Sequence, residues 1–162
     1  LDDELYLESL TEEGRAYANM ARVEPRIVPD LMEAVRQAPP LKIMAITENE
    51  RALLDMEVEL KSRYSKQLNI TRSKPYFLEV MDQSANKGQA LQVVAEHFDI
   101  DRKEVLAVGD SYNDLAMIEW AGIGVAMGNA RDVVKDAADY VTSSNDEAGV
   151  AEALHRFILD KY

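Results

Sequence analysis

The chain has 162 residues, enough for one ordinary domain or two small ones. Its 18 Lys and Arg against 30 Asp and Glu leave a net charge of −12, which disfavours a nucleic-acid backbone or a bare anionic membrane as partner. The absence of cysteine excludes disulfides and thiolate chemistry, and two histidines, His97 and His155, cannot build a multi-histidine metal centre. The 47% hydrophobic content is that of a globular chain, and no apolar run approaches the roughly 18 residues of a membrane-crossing helix. With no secretory signal in view, the expected setting is the cytoplasm. A first residue of Leu1 in place of Met is read as the mark of a processed, truncated or partial product.

Residues 3–10 alternate imperfectly and suit an edge strand as well as a helix start. Pro29 before Asp30-Leu31-Met32-Glu33-Ala34-Val35-Arg36 predicts a short helix with proline in its first turn, stopped by Pro39-Pro40. Residues 41–47 read as a strand with Lys42 and Met44 on its less buried side. From 48 to 64, Leu53, Leu54, Met56 and Leu60 mark the apolar side of a helix. Two strand-like runs, 68–72 and 76–81, follow around a Lys74-Pro75 break, completing a small α+β layer.

The rhythm changes near Asn86. A helix over 89–98 carries Leu91, Val94, Ala95 and Phe98 on one face, and 104–109 is a nearly all-apolar strand of the kind buried on both sides. Helix 113–121, ended by Gly122, strand 123–127, helix 131–138, strand 140–142 and helix 147–158 complete an alternating series. Such alternation implies parallel strands joined by right-handed crossovers. Trp120 and Met117 are expected in the core, the two histidines on the surface, and Lys61, Arg63 and Lys66 at a solvated helix end.

The chemistry concentrates in Gly109-Asp110-Ser111-Tyr112-Asn113-Asp114, just past the carboxyl end of the first buried strand, where open parallel sheets bind ligands. Two carboxylates among oxygen-bearing neighbours suit a hard cation such as Mg²⁺. Asn113 can offer an amide to an anion. The plainer alternative is that Asp110 and Asn113 cap a helix and Asp114 complements its dipole.

That run, with Met117, Ala121-Gly122 and Gly124-Val125-Ala126-Met127-Gly128-Asn129-Ala130, resembles the last motif of the haloacid dehalogenase superfamily, and more narrowly its Cof-type sugar-phosphatase branch. Tyr76-Phe77-Leu78-Glu79-Val80, Asn86-Lys87-Gly88, Ala138-Asp139-Tyr140-Val141-Thr142 and Asp146-Glu147-Ala148-Gly149-Val150 also fit, so the detailed match covers about residues 74–160. The resemblance implies an α/β fold: residues 81–162 as the C-terminal half of a Rossmann-like parallel core, and residues 1–80 as part of an α+β cap of the C2 type. It implies Asp110 as a Mg²⁺ ligand, Asp114 as a carboxylate supporting the metal from behind, and Lys87 as the catalytic cation that holds phosphoryl oxygens. Asn113 would bind the phosphate, and Asn129 either reaches the same crevice or caps a turn.

The family's Asp-x-Asp-Gly-Thr nucleophile motif does not occur in these residues; Asp2-Asp3-Glu4 lacks the Gly-Thr, and Thr47 falls within the cap. The expectation is therefore the later part of a Mg²⁺-dependent phosphatase acting on small phosphorylated metabolites such as sugar phosphates through an aspartyl-phosphate. Its nucleophile would lie outside this chain, which by itself would be inactive. The central strand is missing too, which predicts an open edge beside residues 105–109, covered by the absent half or by another chain. The alternative is a non-catalytic Mg²⁺- or phosphate-binding half-domain that works by pairing.

Overall fold

The computed structural model describes residues 4–161; Leu1, Asp2, Asp3 and Tyr162 lie outside it, and with them the start of the 3–10 run. That run becomes a strand, β1 (Leu5–Leu7), followed by α1 (Glu12–Ala21) and β2 (Pro25–Ile27). The two strands pair in parallel, Leu5 against Pro25, a unit the sequence did not announce. Thr11 caps α1 by accepting from the Gly14 amide at 3.1 Å. Helix α2 (Leu31–Gln37) starts one residue later than expected, because Asp30 and not Pro29 sits at its threshold. The Asp30 carboxylate accepts from the Met32 and Glu33 amides, and Pro29 stays outside the first turn.

Next come β3 (Lys42–Ile46), α3 (Glu50–Tyr64), β4 (Leu68–Lys74) and β5 (Phe77–Asp82). The three strands form an antiparallel sheet in the order β3-β5-β4, with Ile43 opposite Val80 and Ile70 opposite Val80 on the other side. Asn49 caps α3 through the Ala52 amide. Leu53 is fully buried with Ile70 and Leu78, while Ala45, Leu60, Leu68 and Val80 pack around them. The apolar face expected on α3 is only partly right. Met56 is exposed, and Glu57 takes a buried place because Lys61 and Arg72 neutralise it.

From α4 (Lys87–His97) the chain alternates: β6 (Leu106–Gly109), α5 (Leu115–Trp120), β7 (Ile123–Ala126), α6 (Asp132–Asp136), β8 (Tyr140–Val141) and α7 (Gly149–Phe157). The strands are parallel, in the order β6-β7-β8, with Val108 opposite Val125 and Val125 opposite Tyr140. The core beneath them gathers Ile118, Ala126, Met127, Ala130 and Val134. Gly88 lets α4 lie against α5, since a Cβ there would stand 2.5 Å from the Ala116 carbonyl oxygen. The predicted strand at 104–109 begins two residues late, as Arg102–Glu104 winds into a 3₁₀ turn capped by Asp101.

Three sequence expectations fail on burial. Strand β6 buries Ala107 and Gly109 but leaves Leu106 and Val108 half-buried. Val94 and Phe98 of the α4 face stand exposed, Phe98 at 66%. Trp120 and Met117 are half-buried, not interior. Among the described residues β6 pairs on one side alone, with β7, so its other edge lacks a strand partner. Among the described residues no helix is long and apolar enough to cross a membrane.

Candidate active site

Each of the three parallel strands delivers a polar residue just past its carboxyl end. Asp110 follows β6, Asn129 lies three residues beyond β7, and Asn145 begins the turn after β8. The strand ends are locked together first: Met127 donates its amide to the Gly109 carbonyl at 2.9 Å, and Gly128 to that of Ser143 at 3.0 Å. The residues beyond them therefore meet over one crevice, two through side chains and Asn145 through its backbone N–H, at the ordinary binding place of an open parallel sheet.

Asp114 organises that crevice. The chain leaves β6 through Asp110 and Ser111 and winds a 3₁₀ turn, Tyr112–Asp114, before α5 begins; Asp114 thus precedes the helix and is not within its first turn. Its side chain folds back, almost fully buried, and Oδ2 accepts the backbone amides of Asp110 and Ser111, each at 3.0 Å. The other oxygen pairs with the Lys87 ammonium. Both oxygens are occupied, so Asp114 shapes the loop and holds the lysine. The capping alternative named Asp110 and Asn113, yet Asp110 accepts from Asn129, Asn113 Oδ1 has no partner among the described residues, and it is Asp114 that bonds the amides. Gly109 makes the fold-back possible: a Cβ on it would come 2.4 Å from the Asp114 Cβ.

Lys87 opens α4, where the helix dipole disfavours a cation. Asn86 supplies the cap for the Gln89 amide, and the buried carboxylate of Asp114 compensates the lysine. About half of the Lys87 side chain remains exposed, leaving its charge available to an anion.

Asp110 projects to the surface of the crevice. Its Oδ2 accepts from Asn129 Nδ2 at 3.0 Å, while Asn129 Oδ1 accepts from the Asn145 amide at 2.9 Å. The second bond orients the Asn129 amide, since an oxygen engaged by a backbone N–H turns the NH₂ toward Asp110. The structure thus brings Asn129 into the crevice. Asn113 lies half-buried in the turn, and its Oδ1 is buried without a hydrogen-bond partner, leaving unmet capacity in the amide.

Among the described residues no three His, Cys, Asp or Glu groups gather as a ready metal cluster. The crevice offers one open carboxylate, Asp110, among oxygen and amide donors. That donor set fits Mg²⁺, which is commonly held through one or two carboxylates while keeping several waters. His97 and His155 lie exposed on α4 and α7, away from this chemistry. Sequence reasoning missed Asn145, whose contribution is a backbone N–H and so carries no residue signature. It also missed Arg72 of β4, a buried arginine whose guanidinium carbon lies 4.8 Å from the centroid of the Tyr112 ring.

A sequence profile of haloacid dehalogenase-like hydrolases matches residues 1–154, and the chain belongs to that family. Over 103 residues, 64% of the chain, it is 48% identical to the 5-amino-6-(5-phospho-D-ribitylamino)uracil phosphatase YcsE of Bacillus subtilis, spanning 41% of that protein's length. The fold superposes on a haloacid dehalogenase-like hydrolase from Bacteroides thetaiotaomicron with a TM-score of 0.72 and 41% identity, covering 96% of this chain and 58% of that one. It also superposes on the HAD subclass IIB sugar phosphatase BT4131, with a TM-score of 0.74 and 28% identity, over 91% of this chain and 54% of the other. The chain therefore spans about half the length of the relatives it matches.

Proposed function

We propose that these residues carry the electrostatic half of a Mg²⁺-dependent phosphatase site for small phosphate monoesters such as sugar phosphates. The observation that carries the reading is the double role of Asp114, which draws Lys87 to the same loop that presents Asp110 and Asn113. Lys87 neutralises phosphoryl oxygens as a compact charge. Asn113 hydrogen-bonds the phosphate through its amide, and Asp110, oriented by Asn129, supplies the metal's carboxylate. When bound, Mg²⁺ would offset negative charge on the phosphoryl group.

In the whole enzyme the phosphoryl group passes to an aspartate outside this chain, and water then hydrolyses the aspartyl-phosphate. Residues 1–80 act as part of the cap over the site and 81–162 as the second half of the core. A further segment, or another chain, pairs with the open side of β6 and covers Val94 and Phe98. The proposed setting is the cytoplasm.

The test is Mg²⁺-dependent phosphate release from a panel of sugar phosphates. The 162-residue chain alone gives none, whereas a longer product of the same gene carrying an Asp-x-Asp-Gly-Thr segment turns over and loses activity on Lys87→Ala or Asp110→Asn. Sustained hydrolysis by the chain alone refutes the division of the site. A longer product that binds phosphate and Mg²⁺ without turnover favours the non-catalytic pairing module.

A further inference from the structure

Arg72 is an unusual occupant of a sheet. It lies on β4 with 7% of its surface exposed, and an arginine so buried requires a partner for its charge. Its Nε stands 2.7 Å from Glu57 Oε2 and its Nη1 3.7 Å from Glu50 Oε1, both on α3. The guanidinium plate lies over Tyr112, the first residue of the turn that leads to Asn113 and Asp114. Strand β4 and that turn pack directly on each other. The N-terminal antiparallel sheet and the loop past β6 thus touch at a place where a cation lies over an aromatic ring.

Two buried side-chain polar atoms lack a hydrogen-bond partner among the described residues: Arg72 Nε, whose approach to Glu57 is close but misdirected, and Asn113 Oδ1. One lies on each side of the contact. Among the described residues no hydrogen bond joins β4 to the turn, and the contact of Arg72 with Tyr112 is the polar link between them.

We infer that Arg72 is a positioning residue: held by Glu57 and lying over Tyr112, it fixes the turn that carries Asn113 and Asp114 and, through Asp114, the Asp110 amide. The inference rests on the reading of that turn as the metal- and phosphate-holding element. Lysine at position 72 would keep the charge beside Glu57 but lose the flat face. Leucine at position 112 would keep bulk but lose the ring, whereas phenylalanine would keep both.

The experiment is NMR on the full 162-residue chain, reading two signals that need no turnover. The first is the ring-current displacement of the Arg72 side-chain protons, expected in the parent and in Tyr112→Phe and absent in Tyr112→Leu. The second is hydrogen exchange at the Asp110 and Ser111 amides, which Asp114 protects. Arg72→Lys and Tyr112→Leu should each speed that exchange about threefold to thirtyfold, the factor matching a partly to fully desolvated cation–π contact. The double variant should go no further than either single one, and Tyr112→Phe should match the parent.

The Gly124 amide, bonded to the Asp139 carboxylate just before β8, is the internal reference and should not change. Exchange at Asp110 and Ser111 within twofold of the parent overturns the inference. So do additive effects in the double variant, or an equal acceleration at Gly124, which would make the contact general to the fold. Should Arg72→Lys fail to fold, Tyr112→Leu against Tyr112→Phe decides the matter alone. A chain that passes this test while the longer product shows no phosphatase activity retains the clamp and loses the catalytic reading.

Discussion

Replacing Asp114 with asparagine tests the geometry of the site directly. The shape is kept and the charge removed, so the new amide has two ways to sit. With its oxygen on the Asp110 and Ser111 amides, the NH₂ faces the Lys87 ammonium and that pair is lost. With its oxygen on Lys87, two backbone N–H groups face an NH₂ and go unsatisfied, at about 1–3 kcal/mol each. The first arrangement wins. Its cost is the Lys87 interaction, held to about 1 kcal/mol because half of that lysine is in water. To this is added about 1 kcal/mol for each amide bond that passes from charge-assisted to neutral.

The total is about 3 kcal/mol, a large part of the stability of a chain this size. Urea unfolding followed by fluorescence of the single tryptophan, Trp120 at the end of α5, reads it. Lys87→Met should destabilise the parent and add little in the Asp114→Asn background, because their shared pair is already gone. A loss below about 1 kcal/mol for Asp114→Asn would refute the assignment of Asp114 as the residue that holds loop and lysine together.

Gly109→Ala should destabilise by about 1–3 kcal/mol, because its Cβ would meet that of Asp114 at 2.4 Å and force the carboxylate off both amides; an unchanged urea midpoint would contradict the packing. The Glu152 carboxyl is held down to about 2 from its ordinary 4.5, first by the Ser143 hydroxyl, then by the Tyr140 hydroxyl and the Ser143 amide. The bonds favour the ionised form, so this contribution to stability is whole above about pH 4.5 and fades as pH falls toward about 2. Thermal midpoints of the parent and of Glu152→Gln across that window should therefore converge on acidification, and parallel curves would count against the bond set.

Much of this architecture was legible in the chain itself. The alternation of apolar runs with helical stretches after Asn86 carried the parallel direction of β6, β7 and β8, because a strand covered by helices reads as a short apolar run whatever lies beside it; their order came from the fold. The resemblance of residues 109–114 and of Lys87 to a family motif located the crevice, and the structure set those residues around Asp114. The sequence also held every group of the candidate site except two. Asn145 contributes only a main-chain N–H, which any residue could provide. Arg72 sits some forty positions before Tyr112, and only folding brings the two together.

Tertiary structure alone decided the rest. Glu57 and Arg72 are buried because each finds the other across α3 and β4, where composition would have placed both in water. Val94 and Phe98 follow the periodicity of a buried face, yet are exposed because no neighbour among the described residues covers them. Asn129 could serve a turn or a crevice on local grounds; the fold chose by placing the Asn145 amide behind it and the Asp110 carboxylate in front. Local patterning depends on neighbours along the chain, and so it determined most of the elements after Asn86 and the family motif. Burial and the partners of polar side chains depend on neighbours in space, which residue order alone does not supply.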